Sequence, residues 1–373
     1  MRLDSIEPRA LTIPFRTAFR HASADRARMQ SLWVEACAQG QTGHGEGCPR
    51  EYVTGESLAG ALQFCAMHQE DWRASIGDLD ALRRWAKAHA GDIDRNPAAW
   101  AAVELALLEL IAKLQGVSVE RVLGLRELDG FFTYTAVLGD AEPAVFEAQL
   151  AHYLKAGFRD FKIKLSGVAS RDRAKVDALR NAGIAERAVR ADANNLWKNA
   201  HDAIAALEAL AFSFRALEEP LGAGDYAGMS SIAAVLGTRI ILDESVLRAG
   251  QLDALDAAPE RWIVNLRVSK MGGLMRSLQM ASELRRRGTG LIVGAHVGET
   301  SVLTRAALTV ANAARDILVA QEGAFGTHLL SRDVSEPPLM FGAGGVLDAS
   351  AYRPQAAGWG LSIDTAALDF DTA

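Results

Sequence analysis

From residue 131 to residue 320 the chain repeats one pattern: a short apolar run rich in β-branched residues, then a longer alanine-rich amphipathic stretch. The short runs predict buried strands, and the stretches between them predict helices. The predicted strands are 131–138, 160–165, 188–191, 214–217, 239–242, 262–266, 290–294 and 317–320. Eight strands that alternate with helices favour a closed parallel barrel, although an open parallel sheet would give a similar pattern.

The residues before this repeat are organised differently. From residue 2 to about residue 47, polar and apolar residues alternate in short runs, as they do in strands with one solvated face. From residue 54 to residue 125 the apolar period becomes helical, and the clearest predicted helix runs from Pro97 to Gly116. We therefore predict an α+β domain over residues 1–125, a barrel over residues 126–340, and a C-terminal segment, 341–373, that packs back on the first domain.

One segment of the first domain interrupts the alternation. Residues 15–28 are polar and rich in arginine, with several small residues, and this composition predicts a mobile loop. Together with the stretch from Pro49 to Tyr52, we expect this loop to form a lid over the mouth of the barrel.

Composition argues against several other classes of protein. The 373 residues carry a net charge of −6, and lysine and arginine form no sustained basic stripe, so no nucleic-acid partner is predicted. No apolar run of about 18 residues and no signal-peptide core occurs, so we expect a cytoplasmic protein without a membrane partner. Cys37, Cys48 and Cys65 lack metal-ligand spacing, which favours a reducing compartment over a disulfide framework. We also expect a homo-oligomer.

Charged residues end several of the predicted strands, where parallel barrels carry their functional groups. Lys162 and Lys164 end the second strand and share one face, because side chains alternate along a strand. Asp192, Glu218 and Asp243 end the third, fourth and fifth strands. Singly, each acid could be a helix cap or a surface group, and the lysines a solvated strand end. Together, three carboxylates from adjacent strands would repel one another without a hard cation between them, so we predict a Mg²⁺ site.

These motifs resemble those of the enolase superfamily, particularly the muconate lactonizing enzyme and mandelate racemase families, over nearly the whole chain. Lys-Ile-Lys at 162–164 is similar to the paired-lysine motif, and Asp-Ala-Asn at 192–194 to the first metal ligand with its supporting asparagine. Glu-Glu-Pro at 218–220 and Asp-Glu-Ser at 243–245 are similar to the second and third ligands. The resemblance implies a (β/α)7β modified TIM barrel under an N-terminal α+β capping domain that selects the substrate.

The resemblance also implies a reaction, namely Mg²⁺-dependent movement of a proton on the carbon next to a carboxylate, through an enediolate. Lys164 would transfer the proton, while Lys162 would contact the carboxylate of a small substrate and Asn194 would help to bind that substrate. A second ammonium group nearby disfavours the charged form of a lysine, and the neutral form is the one that accepts a proton.

The sixth strand departs from the family pattern. Arg267 stands where the muconate lactonizing and dipeptide epimerase patterns carry a lysine, whereas Lys270 matches a separate family lysine. Arginine stays protonated in nearly every protein environment, so it is a poor base and a good anion holder. We therefore expect Arg267 to act electrostatically and to contact the substrate, and one-base reactions are favoured over a two-lysine racemase.

The last two strands leave more alternatives open. His296 resembles the opposite-face base of mandelate racemase, but no acidic partner for it is evident on the sixth strand, and it could instead contact the distal part of the substrate. Glu299 is a candidate partner of the lysines and a substrate contact, and Glu322 a candidate pocket residue. The eighth strand lacks the Asp-x-Asp that dipeptide epimerases place there to hold an ammonium group, which argues against dipeptide substrates.

The main functional hypothesis is therefore a Mg²⁺-dependent lyase or isomerase of a small carboxylate, with cycloisomerisation of a muconate-like diacid as its concrete form. The alternative among enzymes is a racemase, an epimerase or an acid-sugar dehydratase of the same superfamily. The alternative outside enzymes is a catalytically silent protein that keeps the barrel and binds a carboxylate.

Overall fold

The N-terminal residues form an antiparallel sheet beside a group of helices. The computed structural model describes residues 1–21, 24–353, 355–364, 368 and 370. The sheet has the order β1-β2-β3, with strands β1 (Ser5–His21), β2 (Ala24–Ala38) and β3 (Gln41–Gly47). The helices are α1 (Glu51–Thr54), α2 (Leu58–Ser75), α3 (Leu79–Ala88), α4 (Ala90–Arg95), α5 (Pro97–Gln115) and α6 (Val119–Leu123).

Helix α5 lies at the centre of this part of the protein and confirms the clearest predicted helix. It begins at Pro97, whose missing N–H costs nothing at a first helical position, and it ends before Gly116, which adopts the left-handed conformation with φ of 68°. Every residue from Pro97 to Ala112 is buried. A helix that is buried on all sides must be enclosed by other elements, and α5 contacts the sheet on one side and the barrel on the other.

Strand β3 approaches α5 so closely that only glycine fits at alternate positions. A Cβ atom at Gly45 would lie 1.9 Å from the carbonyl oxygen of Ala102. At Gly43 and Gly47 the corresponding distances to carbonyl oxygens of α5 are 2.1 and 1.9 Å. These three glycines let the backbone of the strand lie directly on the helix, which sets the position of the sheet relative to the barrel.

The barrel follows in the order predicted by the repeat. Its strands are β5 (Ala136–Leu138), β6 (Phe161–Lys164), β7 (Val189–Asp192), β8 (Ala216–Glu218), β9 (Arg239–Leu242), β10 (Trp262–Leu266), β11 (Gly290–Val293) and β12 (Leu318–Gln321). Two short strands, β4 (Phe131–Thr133) and β13 (Val346–Asp348), form a separate two-stranded sheet. The barrel helices are α7 (Pro143–Lys155), α8 (Ala169–Asn181), α9 (Ala200–Leu210), α10 (Tyr226–Leu236), α11 (Val268–Met271), α12 (Leu274–Arg287) and α13 (Ser301–Ala313).

Strands β5 to β12 form one parallel sheet in which neighbours in sequence are neighbours in space. A backbone hydrogen bond of 2.9 Å from Thr135 N, directly before β5, to Gln321 O of β12 connects the two ends of this sheet. Helices connect successive strands, except between β9 and β10, where the connection contains the 3₁₀ helix Ala249–Leu255. The arrangement is the predicted (β/α)7β modified TIM barrel with an N-terminal α+β cap.

One of the predicted strands was wrong in detail. The run 131–138 is not one strand, because the chain changes partner at Tyr134, whose N–H donates to Gly345 O. Strand β4 therefore pairs antiparallel with β13, and β5 alone enters the barrel.

The predicted loop over residues 15–28 is largely a continuation of the hairpin. Backbone pairing between β1 and β2 extends to His21 and Ala24, with a register shift after Pro14, and residues 22–23 lie outside the described part of the chain. Although the composition of this segment is typical of a loop, cross-strand pairing holds its described residues in strands. In the second predicted lid segment, the buried Arg50 donates to Gln30 O and Val297 O, both at 3.0 Å. The mobility of this lid stays a prediction.

The C-terminal segment contacts both the cap and the barrel. Gly358 N donates to Val117 O at 3.0 Å, next to the end of α5, and Arg305 of α13 donates to the carbonyl of the buried Trp359 at 2.9 Å. The main apolar core is also continuous from the cap into the barrel. The domain boundaries at residues 125 and 340 stay predictions. No helix in the described ranges is long and apolar enough to span a bilayer.

The contact between β3 and α5 predicts the effect of one added methyl group. Gly45→Ala should lower the free energy of unfolding by about 1–3 kcal/mol, because the new Cβ overlaps backbone atoms that cannot move independently. Gly250→Ala is the matched control, since no atom lies within 4 Å of a Cβ at that position. Urea unfolding monitored by circular dichroism measures both. Equal stability of the two variants would contradict the close packing described above.

Candidate active site

The carboxyl ends of neighbouring barrel strands bring the predicted site residues together at one mouth of the barrel. Lys164 pairs in register with Asp192, and Asp192 with Glu218, along strands β6, β7 and β8. Asp243 directly follows β9. Lys162 precedes Lys164 by two residues and shares its face. The sequence prediction that these side chains converge agrees with their positions.

Lys162 lies within an acidic enclosure. Its Nζ atom donates to Glu218 Oε2 at 3.0 Å and to Glu322 Oε2 at 2.6 Å, and it lies 4.0 Å from Asp192 Oδ2. Burial disfavours the charged ammonium, but the three carboxylates outweigh burial and raise the pKa of Lys162 above its usual range. Lys162 is therefore a fixed cation and not a base.

Lys164 has a different environment, although it is only two residues away. Its Nζ atom donates to Asn194 Oδ1 at 2.9 Å and lies 3.6 Å from Asp192 Oδ2. Its side chain is 18% exposed, against 6% for Lys162. Lys164 is thus the more accessible amine of the pair and is held by a neutral amide in addition to one carboxylate.

Asn194 connects Lys164 to the first acid. Its backbone N–H donates to Asp192 Oδ1 at 3.0 Å, and its side-chain oxygen receives the bond from Lys164. The residue adopts a left-handed conformation with φ of 46°, which asparagine tolerates better than most residues. Asn194 orients the lysine amine; its predicted contact with a substrate stays a prediction.

The three predicted metal ligands are all buried, and their charges are balanced unequally. Burial raises the pKa of Glu218 to about 7; Lys162 opposes this shift, and the neighbouring carboxylates add to it. Burial also acts against the ionised form of Asp243, but Arg267 and Lys270 outweigh it and lower the pKa of Asp243 to about 2. Burial therefore dominates at Glu218, whereas the two cations dominate at Asp243.

Two cations from the sixth strand end hold Asp243. Lys270 Nζ donates to Asp243 Oδ1 at 2.8 Å and to the carbonyls of Asp243 and Asn265, both at 2.7 Å, so its three donors are all in use. Arg267 donates to Asp243 Oδ2. Burial acts to lower the pKa of Arg267, but Asp243 and the neighbouring acids act in the opposite direction and outweigh burial. The pKa of Arg267 is therefore raised. Arg267 is permanently charged, as expected from the sequence.

The donor set suits a hard divalent cation. Asp192, Glu218 and Asp243 are buried and supply carboxylate oxygens from three successive strands, which are the ligands that Mg²⁺ prefers. In the described part of the chain, no three acidic, histidine or cysteine side chains are arranged to ligate one ion together. The present arrangement is the ion-paired one, in which lysine and arginine neutralise the acids.

A buried arginine that sequence reasoning missed supports the site from inside the barrel. Arg190 donates to Glu322 Oε1 at 3.1 Å and to Asp160 Oδ2 at 2.7 Å, and it is completely buried. Burial opposes ionisation of Glu322, but Lys162 and Arg190 outweigh it and lower the pKa of Glu322. Glu322, predicted as a pocket residue, is therefore fixed between two cations. The position of Arg190, two residues before Asp192 on the same face, was the available signal.

Two further polar residues also position the acids. The carboxylate of Glu219 accepts hydrogen bonds from Asp243 N at 2.7 Å and from Ser245 N at 2.9 Å, so it fixes the turn that follows β9. Asn265 donates to Glu218 Oε1 at 3.0 Å. The sequence contained both, in the Glu-Glu-Pro motif and before Arg267, but their roles depend on contacts between strands that sequence spacing does not reveal.

His296 and Glu299 form a buried pair beyond β11. His296 N donates to Glu299 Oε1 at 2.7 Å, and the ring Nδ1 lies 3.5 Å from the same oxygen. Burial raises the pKa of Glu299 to about 8. The sequence analysis sought an acidic partner of His296 on the sixth strand, whereas the structure provides one in the same loop.

The predicted partnership of Glu299 with the lysines stays a prediction. Among the described residues, no lysine forms an ion pair with Glu299, because its carboxylate turns back to the backbone of its own loop. Its predicted contact with a substrate stays a prediction.

Loss of Arg190 should destabilise the whole barrel. Arg190→Met leaves Glu322 and Asp160 buried or half-buried without their common cation, and we expect a loss of about 3–5 kcal/mol in the free energy of unfolding. Arg286→Met is the control, because Arg286 pairs on the surface with Glu283 and should contribute less than about 1 kcal/mol. Denaturant unfolding measures both values. A loss as small for Arg190 as for Arg286 would show that the buried network is dispensable.

Comparison with known proteins adds independent information about this geometry. Residues 145–367 match the family described as enolase C-terminal domain-like. The chain is 28% identical to a hydrophobic dipeptide epimerase from Enterococcus faecalis, over 85% of this chain and 89% of that protein. It is 27% identical to an N-succinyl-L-Arg/Lys racemase from Bacillus cereus, over 83% of this chain and 84% of that protein. A chloromuconate cycloisomerase from Cupriavidus pinatubonensis is 25% identical, over 77% and 75%.

Solved structures are similar over almost the entire chain. The dipeptide epimerase from Enterococcus faecalis, complexed with Mg and the dipeptide L-Leu-L-Tyr, has a TM-score of 0.80 at 26% identity and covers 97% of this chain and 100% of that one. The 2-chloromuconate cycloisomerase from Rhodococcus opacus has a TM-score of 0.86 at 22% identity, with 98% of each chain covered. The second similarity concerns the fold alone.

Proposed function

Because the chain belongs to the enolase C-terminal domain-like family, and so is an enzyme of the enolase superfamily, we propose that it epimerises or racemises a small carboxylate by proton transfer at the neighbouring carbon. The observation that carries this proposal is the pair Lys162 and Lys164 facing acids from three successive strands. The named epimerase and racemase relatives support this class over the cycloisomerisation favoured by the sequence analysis.

Lys164 is the proposed proton-transferring group. Of the site's three lysines, Lys162 is held by two carboxylates and Lys270 uses all its donors, whereas Lys164 is partly exposed and donates to the neutral Asn194. A base must be reachable by the substrate and able to give up its own proton. Lys164 meets both requirements better than its neighbours, and Asn194 would keep its amine directed toward the mouth of the barrel.

The acids Asp192, Glu218 and Asp243 would hold Mg²⁺, in keeping with the Mg present in a structurally similar epimerase. When bound, Mg²⁺ would stabilise the negative charge that develops on the substrate carboxylate as the proton leaves. Lys162 and Arg267 are fixed cations at the same mouth and would hold that carboxylate and share its charge.

Epimerisation also requires a group that returns a proton to the other face of the carbon. Arg267 remains charged and Lys270 is saturated with acceptors, so neither can exchange protons readily. We propose that His296 has this role, with Glu299 3.5 Å from its Nδ1 atom to orient the ring.

The proposed substrate is an amino-acid derivative without a free ammonium group, such as an N-acylated amino acid. The carboxylate that follows the eighth strand, Glu322, is already neutralised by Lys162 and Arg190. It is therefore not available to hold the ammonium group of a dipeptide. The N-succinyl-L-Arg/Lys racemase relative, whose named substrate has a blocked amino group, supports this choice.

Cycloisomerisation of an unsaturated diacid is the second candidate. Arg267 favours it, because a reaction that needs one base could use Lys164 alone while the guanidinium holds the distal carboxylate. The cycloisomerase relative supports it as well. Chiral analysis of the product distinguishes the two, since a racemase interconverts enantiomers and a cycloisomerase forms a lactone.

The main test follows exchange of the proton on the α-carbon in deuterated water by NMR, with N-succinyl amino acids, dipeptides and muconate as candidate substrates. Lys164→Ala should abolish exchange of the substrate enantiomer whose proton Lys164 removes, whereas exchange of the other enantiomer through His296 should persist. Arg267→Lys should retain part of the activity, since it keeps the charge but loses the planar fork. Lys87→Ala, an exposed lysine of α3, is the control and should exchange at the wild-type rate.

Two outcomes would reject this assignment. Near-normal exchange of both enantiomers by Lys164→Ala would exclude Lys164 as the transferring group. Ligand-dependent stabilisation of the wild type without exchange of any tested substrate would favour the catalytically silent carboxylate-binding protein.

Metal binding can be tested separately from turnover. Isothermal titration of the full chain with Mg²⁺ should give one site, and Asp192→Asn or Glu218→Gln should weaken it by more than the roughly 10–100-fold that loss of a supporting group costs. Asp177→Asn, an exposed acid on α8, is the control and should bind normally. Unchanged affinity in the Asp192 and Glu218 variants would place the metal elsewhere.

A further inference from the structure

A second cavity lies at the opposite end of the barrel from the candidate active site. It has a volume of about 740 Å³, within the range of small-molecule sites. Its walls include Thr133 of β4 and Val346 of β13, together with the segments that lead into β6, β7 and β8. Because these segments precede the strands, the cavity opens at the amino ends of the barrel strands, where the proposed reaction uses no residue.

Three arginines from three separate segments line this cavity. Arg159 precedes β6, Arg187 precedes β7, and Arg215 precedes β8, and all three are exposed. Within the described ranges, no carboxylate pairs with Arg159 or Arg187, and no carbonyl accepts a hydrogen bond from either side chain. Two guanidinium groups therefore face this space with all their donors available.

The single acid of the cavity does not neutralise these arginines. Asp160 accepts hydrogen bonds from the buried Arg190 at 2.7 Å and from Thr135 at 2.6 Å through one oxygen, and from Arg215 at 3.3 Å through the other. Its charge is thus balanced chiefly by Arg190, behind the cavity wall. Burial, followed by the charge of Arg215, lowers the pKa of the neighbouring Arg239, which agrees with a local excess of positive charge.

We propose that this cavity binds a small molecule that carries a phosphate group. A phosphate presents several oxygens in a tetrahedral arrangement, so guanidinium groups that approach from three segments can each donate to it. A single carboxylate is planar and offers fewer directions of approach. This site is independent of the proposed function, because its residues do not take part in proton transfer.

The probe for this site is inorganic pyrophosphate, titrated into the full-length protein by calorimetry in Mg²⁺-free buffer at constant ionic strength. The wild type should bind it saturably at one site. The double variant Arg159→Gln/Arg187→Gln should bind pyrophosphate at least about tenfold more weakly than the wild type does, because it loses both unpaired guanidinium groups. The pair Arg83→Gln/Arg84→Gln, two exposed arginines of α3, changes net charge equally and should stay within about twofold of the wild type.

Two further arms locate the site and identify the ligand. Lys164→Ala should leave pyrophosphate binding unchanged, which separates this cavity from the cationic active site. Citrate, a small polyanion without phosphorus, should bind clearly more weakly than pyrophosphate, and inorganic phosphate should compete with pyrophosphate.

Several results would overturn the proposal. The absence of saturable binding by the wild type at millimolar pyrophosphate would contradict it, and so would equal weakening of binding by the two arginine pairs. Loss of pyrophosphate binding in Lys164→Ala, or binding of citrate as tight as that of pyrophosphate, would equally contradict it. Binding of acidic polypeptides without binding of pyrophosphate would identify the cavity as a surface for protein partners and would equally exclude a phosphate site.

Discussion

The structure depends on the mutual neutralisation of buried charges at the carboxyl ends of the barrel strands. Ionised groups are costly to bury unless each has a partner of opposite charge. Lys162 meets this condition through Glu218 and Glu322, and Asp243 meets it through Arg267 and Lys270. These ion pairs hold the other cations in place and leave Lys164 as the more accessible amine. Charge balance therefore determines which residue of the site can act as the base.

The rest of the fold maintains that balance. Arg190 links Glu322 at the mouth to Asp160 at the other end of the barrel, so the ion-pair network passes through the barrel interior. The position of the cap is also fixed. The glycines of β3 allow the strand to lie against α5, and α5 contacts the barrel. The buried carboxylate of Glu46, also on β3, accepts a hydrogen bond of 2.6 Å from Thr300 at the start of α13. Cap and barrel therefore share both apolar and polar contacts.

Much of this architecture was predictable, because the features involved are local and periodic. Apolar runs separated by amphipathic stretches identified the barrel strands, and charged residues at their ends identified the lysines and the three acids. The errors arose where distant partners decide the outcome. Residues 131–138 split because Tyr134 pairs with Gly345, and residues 15–21 and 24–28 continue a hairpin despite a loop-like composition. The role of Arg190 was missed because its partner Glu322 follows another strand. The orientation of Glu299 was missed because its partner is a backbone N–H, which no sequence motif specifies.

The account centres on Lys164 acting on a substrate held by the cations and metal at the barrel mouth. A crystal structure with Mg²⁺ and an N-succinyl amino acid tests this most directly. We expect one ion ligated by Asp192, Glu218 and Asp243 at about 2.0–2.1 Å. We also expect Lys164 Nζ to lie about 3–3.5 Å from the α-carbon of the ligand. An ion bound elsewhere, or a ligand whose α-carbon lies beyond the reach of Lys164 while Asp243 stays paired with Arg267, would contradict these expectations.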